Sequence, residues 1–304
     1  MSLLVVGTVA FDAIETPFGK TDKITGGSGN YICHAASRFT NDMKLVSVIG
    51  SDYDQNELTW LKNAGTDLTG VDVKEGKKSF FWAGKYHMDM NSRDTLDTQL
   101  NVLAEFDPVL PESFKSCSYL ILGNIEPSLQ KKVIEQMAVR PNFIVMDTMN
   151  FWMDTTPEAL AETLKLVDML VVNDSEARQL SGEYSLVKAA AKIKQMGPKY
   201  LIIKKGENGA LLFYDNHIFS APALPLEEVF DPTGAGDSFA GGFIGYLAAT
   251  DDISYENMKR AVIYGSAVAS FCVEKFGPER LKEITRAEID QRVEQFVRLI
   301  SVDV

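Results

Sequence analysis

Short apolar runs separated by amphipathic stretches of helical length constrain this chain more than any other feature. Leu3–Val6, Leu45–Ile49, Tyr119–Leu122, Phe143–Met146, Met169–Val172 and Tyr200–Ile203 are each nearly continuous in hydrophobicity, the pattern of strands covered on both faces. Between most of them lie 29–39, 56–64, 127–139, 157–166, 175–180 and 186–196, which carry apolar residues at three- to four-residue spacing, as one stripe of a helix requires. The alternation predicts α/β layers around a parallel sheet. With 304 residues, 45% of them hydrophobic, the chain can bury such a core in a single domain over residues 1–304.

Two polar, irregular stretches break the rhythm, at about residues 12–24 and 77–98. In the second, Phe80, Trp82 and Tyr86 share one parity of an extended strand, which predicts a small strand-built lid. A surface hairpin packing its aromatics on the main domain reads equally well. A lid of this kind would leave strand edges to be paired, a natural place for a homodimer contact. Beyond Phe230 the chain turns Gly- and Ala-rich and helical as far as Phe276, and a last amphipathic helix is expected over Arg286–Ile300.

Charge and composition exclude several function classes. The formal charge of −12 is unrelieved by any basic run longer than a doublet, so nucleic acid and anionic membranes are expected to be repelled. Cys33, Cys117 and Cys272 are odd in number and widely spaced, and His34, His87 and His217 lack metal-ligand spacing; both patterns argue against a disulfide framework and a zinc site. The apolar stretch from Leu3 to Phe11 has no basic flank and is too short to span a bilayer. The expectation is a soluble, cytoplasmic protein.

The segment Asp231-Pro232-Thr233-Gly234-Ala235-Gly236-Asp237-Ser238-Phe239-Ala240-Gly241-Gly242-Phe243 carries the chemistry. Pro232 fixes a loop, Thr233 is a natural helix N-cap, and small residues follow into a helix. Gly234, Ala235 and Gly236 let an anion approach backbone N–H groups at a helix N-terminus, where the dipole favours negative charge. Asp237, in the first turn, is placed to take a proton from an attacking hydroxyl. A capped turn in which Asp237 only complements the dipole is the alternative for Gly-Ala-Gly taken alone.

The whole string resembles the signature D-x-x-G-A-G-D-x-F-x-x-G-F of the PfkB carbohydrate kinases, the ribokinase-like sugar and nucleoside kinases. Other segments resemble the family in order along the chain. Gly26-Gly27-Ser28-Gly29-Asn30 is similar to its N-terminal glycine motif, and Asp12 matches its substrate-binding aspartate; the resemblance makes Asp12, Gly26, Gly27 and Asn30 substrate-binding. Asn173-Asp174-Ser175-Glu176 resembles N-x-x-E, which implies nucleotide contacts from Asn173 and Glu176, with Glu176 holding Mg²⁺ through water; Asp174 or Ser175 would also cap the helix beginning there. Lys204-Lys205-Gly206-Glu207-Asn208-Gly209 resembles K-x-G-x-x-G and implies phosphate contacts from Lys204, Gly206 and Gly209, while also reading as a hairpin turn. Ser266 matches a position lining the adenine pocket.

The resemblance implies a ribokinase-like doubly wound, mostly parallel sheet flanked by helices, with a small β-stranded lid. It also implies ATP and Mg²⁺ as cofactors, a monovalent cation such as K⁺ in some relatives, and phosphoryl transfer to an alcohol. Competing phosphate motifs are absent: there is no G-x-x-x-x-G-K-[ST], no H-R-D loop and no G-x-G-x-x-G after the first strand. The missing dinucleotide fingerprint disfavours a dehydrogenase. An inactive sugar- or nucleotide-binding regulator remains as an alternative, against which the intact Asp237 argues. Where relatives binding sugar acids carry D-x-N-x-R, this chain reads Asp147-Thr148-Met149-Asn150-Phe151-Trp152, so a neutral sugar is favoured. A carboxylated sugar stays open through Lys20, Lys85 or Arg93, which could reach the pocket from the lid. Phe81, Trp82, Tyr86 and Trp152 would stack on a nucleobase, which makes a nucleoside kinase the nearest alternative.

Overall fold

The computed structural model describes residues 1–301. Its strands are β1 (Leu3–Val6), β2 (Ala10–Thr16), β3 (Gly19–Lys20), β4 (Ile24–Gly26), β5 (Met43–Gly50), β6 (Thr66–Lys74), β7 (Phe80–Tyr86), β8 (Arg93–Gln99), β9 (Tyr119–Leu122), β10 (Phe143–Asp147), β11 (Met169–Asn173), β12 (Tyr200–Lys204), β13 (Ala210–Tyr214) and β14 (His217–Ala221). The helices are α1 (Ser28–Ala36), α2 (Gln55–Asn63), α3 (Pro127–Gln136), α4 (Asn150–Thr155), α5 (Pro157–Leu164), α6 (Asp174–Ser181), α7 (Leu186–Gln195), α8 (Ala235–Thr250), α9 (Tyr255–Cys272), α10 (Glu279–Glu283) and α11 (Arg286–Ile300).

Nine strands form the main sheet in the order β14-β13-β12-β11-β10-β9-β1-β5-β6. Pairing is parallel from β12 to β6 and antiparallel along the β12-β13-β14 meander. Because side chains alternate across a strand, each apolar run feeds two cores. Leu3 and Val5 pack under α1, α8 and α9, whereas Leu4 and Val6 pack under α3, α5, α6 and α7. Continuous hydrophobicity in β1, β9, β10, β11 and β12 is therefore the direct mark of a sheet covered on both faces. β6 escapes that signal because it is an edge strand whose exposed residues include Asp67, Asp72 and Val73.

The second sheet is small and runs β3-β2-β7-β8, with β4 added to β2. β2 and β7 are parallel, pairing Asp12 with Trp82, and β7 returns antiparallel into β8. All of β8 is exposed. No helix among the described residues is long and apolar enough to cross a membrane.

Two sets of buried polar contacts set the position of α1. Ser28 and Thr8 exchange bonds, Ser28 N donating to Thr8 Oγ1 at 2.9 Å and Thr8 N to Ser28 Oγ at 3.2 Å. Two turns along, His34 Nε2 lies 2.5 Å from Glu57 Oε1 on α2, and Lys282 Nζ on α10 lies 2.8 Å from Glu57 Oε2. Burial holds His34 below its usual pKa, so the neutral ring donates Nε2–H and Lys282 supplies the compensating charge. Breaking one partner of such a buried set is costly, which makes the orientation of α1 well determined.

Candidate active site

Asp147, Asn173 and Lys204 are the last residues of the adjacent parallel strands β10, β11 and β12, on the edge of the sheet where open α/β folds leave a crevice for ligands. Lys204 Nζ donates to Asp147 Oδ2 at 3.1 Å. Its ammonium also stands 2.9 Å from where a Cβ on Gly236 would lie, so it faces the first turn of α8 directly.

That turn is open. Gly234 is the N-cap in a left-handed conformation (φ 74°), and no side chain among the described residues caps the end, leaving backbone amides available to an anion. Thr233 does not cap as its sequence position suggests: its hydroxyl lies 3.3 Å from Tyr86 Oη on β7. The loop ahead is held instead by buried Asp231, which accepts from Thr233 N at 2.8 Å and from Gly277 N at 3.0 Å. Gly234 has the ring of Tyr31 in the space a side chain would need. Asp237 follows in the first turn. Burial pushes its carboxyl up to about 7, with the charges of Asp147 and Glu176 adding and those of Lys204 and Arg93 opposing.

Asn173 and Glu176 form a capping box on α6: Glu176 N donates to Asn173 Oδ1, and Asn173 N donates to Glu176 Oε2, both at 2.8 Å. The cap is thus Asn173 itself rather than Asp174 or Ser175. Burial, helped by Asp147, raises Glu176 to about 7. Burial also raises Asp147, against the pull of Lys204. Burial works against the charge of Lys204, yet Asp147, Glu176 and Asp237 outweigh it and raise its pKa. The carboxyl groups of Asp147, Glu176 and Asp237 all act on the one ammonium of Lys204. No group of three or more acidic, His or Cys side chains among the described residues is arranged to hold a metal directly. This donor set fits a magnesium ion that would arrive with phosphate oxygens and keep its waters; Glu176 and Asp147 are the residues that would hold it, through those waters.

On one side of Lys204 and Gly236 opens a cavity of about 630 Å³, also lined by Gly206, Gly209, Ala235 and Ser266. Its remaining walls include Leu224, Leu226, Val229 and Val273, so a polar end beside the helix terminus gives way to an apolar one. The β12–β13 connection that carries Gly206 and Gly209 is both a hairpin turn and a cavity wall.

Asp12, Gly26, Gly27 and Asn30 cluster away from that cavity. Gly26 pairs with Ala10 in the small sheet and packs on the Asp12 carboxyl, while Gly27 is the N-cap of α1. Asp12 is buried, and burial together with Asp231 and Asp237 raises its pKa to about 7. Asn30 is wholly buried, and among the described residues neither its Oδ1 nor its Nδ2 has a partner, an exception to the rule that buried polar groups are hydrogen-bonded. Two further charges join the site. Asp147, which opens the stretch standing where some relatives carry D-x-N-x-R, ends the apolar strand β10. Arg93, one of the basic residues expected from the lid, stacks 5.6 Å from the Trp82 ring, and its charge bears on Asp237 and Glu176.

The sequence profile of the pfkB family carbohydrate kinases matches residues 2–284. A cytidine kinase of Thermococcus kodakarensis is 28% identical over 250 residues, covering 80% of this chain and 87% of the relative. A nucleoside kinase of Methanothermobacter thermautotrophicus is 24% identical over 91% of both chains. Among solved structures, the Methanocaldococcus jannaschii nucleoside kinase superposes with a TM-score of 0.77 at 20% identity, covering 97% of this chain and 99% of its own. An Escherichia coli putative ribokinase II in complex with ATP and Mg²⁺ gives 0.79 at 20% identity, covering 97% and 99%. The profile match spans nearly the whole chain and the fold is the ribokinase fold, so this protein belongs to the PfkB family of carbohydrate kinases and is an ATP-dependent kinase.

Proposed function

We propose that the protein transfers the γ-phosphoryl group of ATP to a sugar hydroxyl of a nucleoside, with Asp237 as the base. The observation that carries this reading is the position of Asp237, at an uncapped helix N-terminus beside Lys204 and between the 630 Å³ cavity and the Asp12–Asn30 cluster. ATP would occupy the cavity, its base toward Ser266 and Val273 and its phosphates toward Lys204, Gly206, Gly209 and the amides of Gly234 and Gly236, that of Ala235 being given to Pro232 O at 3.2 Å. Mg²⁺ bound with the nucleotide would be met through water by Glu176 and Asp147, neutralising phosphate charge that Lys204 alone does not balance.

Asp12 and Asn30 orient the acceptor hydroxyls. The attacking hydroxyl passes its proton to Asp237 as its oxygen bonds to phosphorus and the bond to the ADP oxygen breaks. The helix terminus, Lys204 and Arg93 stabilise the charge on the transferring group. The small sheet acts as a lid that keeps water, a competing acceptor, from the phosphorus.

A nucleoside is favoured over a free neutral sugar by Trp82, half-buried and in register with Asp12 on the same face of the lid, where a base would stack. The relatives named cytidine kinase and nucleoside kinase support the same choice. The test is Mg²⁺-dependent ADP release across nucleosides, free sugars and sugar acids, with Trp82→Ala alongside. Turnover on nucleosides whose KM rises about tenfold or more in Trp82→Ala is expected from loss of a stacking face. Turnover on free pentoses alone, unaffected by Trp82, would replace the nucleoside with a neutral sugar.

A further inference from the structure

The donor cavity has one wall that the phosphate motifs do not supply. Asp89, Met90 and Asn91, at the tip of the β7–β8 hairpin, line it together with Lys204, Gly206 and Gly236. The small sheet thus reaches the polar end of the donor site as well as the acceptor cluster. The approach is close: Asn91 Oδ1 occupies the space that a Cβ on Gly206 would need.

The tip is a built structure. The Asp89 carboxylate accepts from Asn91 N at 3.1 Å, Ser92 N at 2.9 Å and Ser92 Oγ at 2.6 Å. His87 and Ser92 close the turn through His87 N donating to Ser92 O at 2.9 Å. Asp89 is therefore engaged within the turn, whereas among the described residues Asn91 Nδ2 donates only to Asp89 O at 3.1 Å, and a carboxamide nitrogen has a second hydrogen to give. The base of the hairpin is tied to the same region, Tyr86 to Thr233 and Arg93 toward Asp237 and Glu176.

We propose that Asn91 is a donor-binding residue, its carboxamide donating to the phosphate chain of the nucleotide beside Gly206, so that the lid grips donor and acceptor together. This rests on the kinase reading above. Its consequence is that ATP alone orders the hairpin, and that ADP leaves only when the tip lifts from Gly206.

Wild type, Asn91→Ala and Asn91→Asp are compared by steady-state kinetics and by calorimetric ATP binding without acceptor. In Asn91→Ala, Kd and KM for ATP are expected to rise about three- to tenfold, the worth of one hydrogen bond. Asn91→Asp is expected to lose more, because its carboxylate faces phosphate, and the acceptor KM stays within about twofold in both. ATP alone should slow amide hydrogen exchange over residues 87–93 in wild type and not in Asn91→Ala. Unchanged ATP Kd in both variants, or a rise confined to the acceptor KM, would overturn the proposal. A wild type that binds ATP and phosphorylates no acceptor would remove the kinase reading alone, the Kd comparison still deciding the role of Asn91. A wild type that binds no ATP removes both.

Discussion

The ammonium of Lys204 stands where a side chain on Gly236 would begin, 2.9 Å from that Cβ position, while it donates to Asp147 at 3.1 Å. One cation thus serves both the strand ends and the helix terminus, and the missing side chain at residue 236 is what lets it come so close. Lys204→Met is expected to lower kcat about 10²- to 10³-fold, as removal of one transition-state contact does. It should also lower Tm, because Asp147 is left buried without its partner. Adding Asp147→Asn should recover Tm and leave kcat low. Recovery of kcat in the double variant would show that Lys204 acts only by neutralising Asp147.

In its proposed role as the base, Asp237 would couple activity to stability. Its carboxyl titrates near 7 in the folded chain against 3.8 for an unperturbed aspartate, so the folded protein retains a proton that the unfolded chain has already released between those values. The stability this gives is complete below pH 3.8 and is lost as pH rises through about 7. Asp237→Asn keeps the side chain neutral throughout. It should match wild type in Tm near pH 4, exceed it by about 2–4 °C at pH 8, and lose about 10²- to 10⁴-fold in kcat. Wild-type kcat/KM should fall as pH drops below about 7, when the base becomes protonated. A kcat near that of wild type in Asp237→Asn would end its assignment as the base.

Asn30 is buried with both polar atoms unpartnered among the described residues, a cost to the fold that a leucine of similar size would relieve. Asn30→Leu is therefore expected to be neutral or stabilising, by about 1 kcal/mol in denaturant unfolding, while the acceptor KM rises about tenfold or more and the ATP KM stays unchanged. A loss of stability with unchanged acceptor KM would make Asn30 a structural residue.

What could be read before folding was whatever the chain makes from neighbours in sequence. The anion-binding turn needs only consecutive small residues entering a helix, so residues 231–243 marked it. The Asn173–Glu176 box is a contact of residues three apart, although the cap is Asn173 where the sequence suggests Asp174 or Ser175. β1, β9, β10, β11 and β12 announced themselves because two covered faces leave no room for polar residues. β6 did not, since an exposed edge tolerates charge, and neither did the turn of Thr233 toward Tyr86, 147 positions away.

The sequence by itself determined the α/β layering, through hydrophobic period, and the anion-binding turn, through local backbone demands; the class of chemistry came with the resemblance of residues 231–243 to the family signature. Only the tertiary structure decided the electrostatics. Asp147 and Lys204 are 57 residues apart, and nothing in either segment requires the other. Their meeting follows from the parallel order β10-β11-β12, which sets three successive strand ends side by side. The same holds for Tyr31 against Gly234 and Asn91 against Gly206. A side chain's pKa, and the ligand it can hold, follow from which charges the packed sheets bring within a few ångströms and from how much water they exclude.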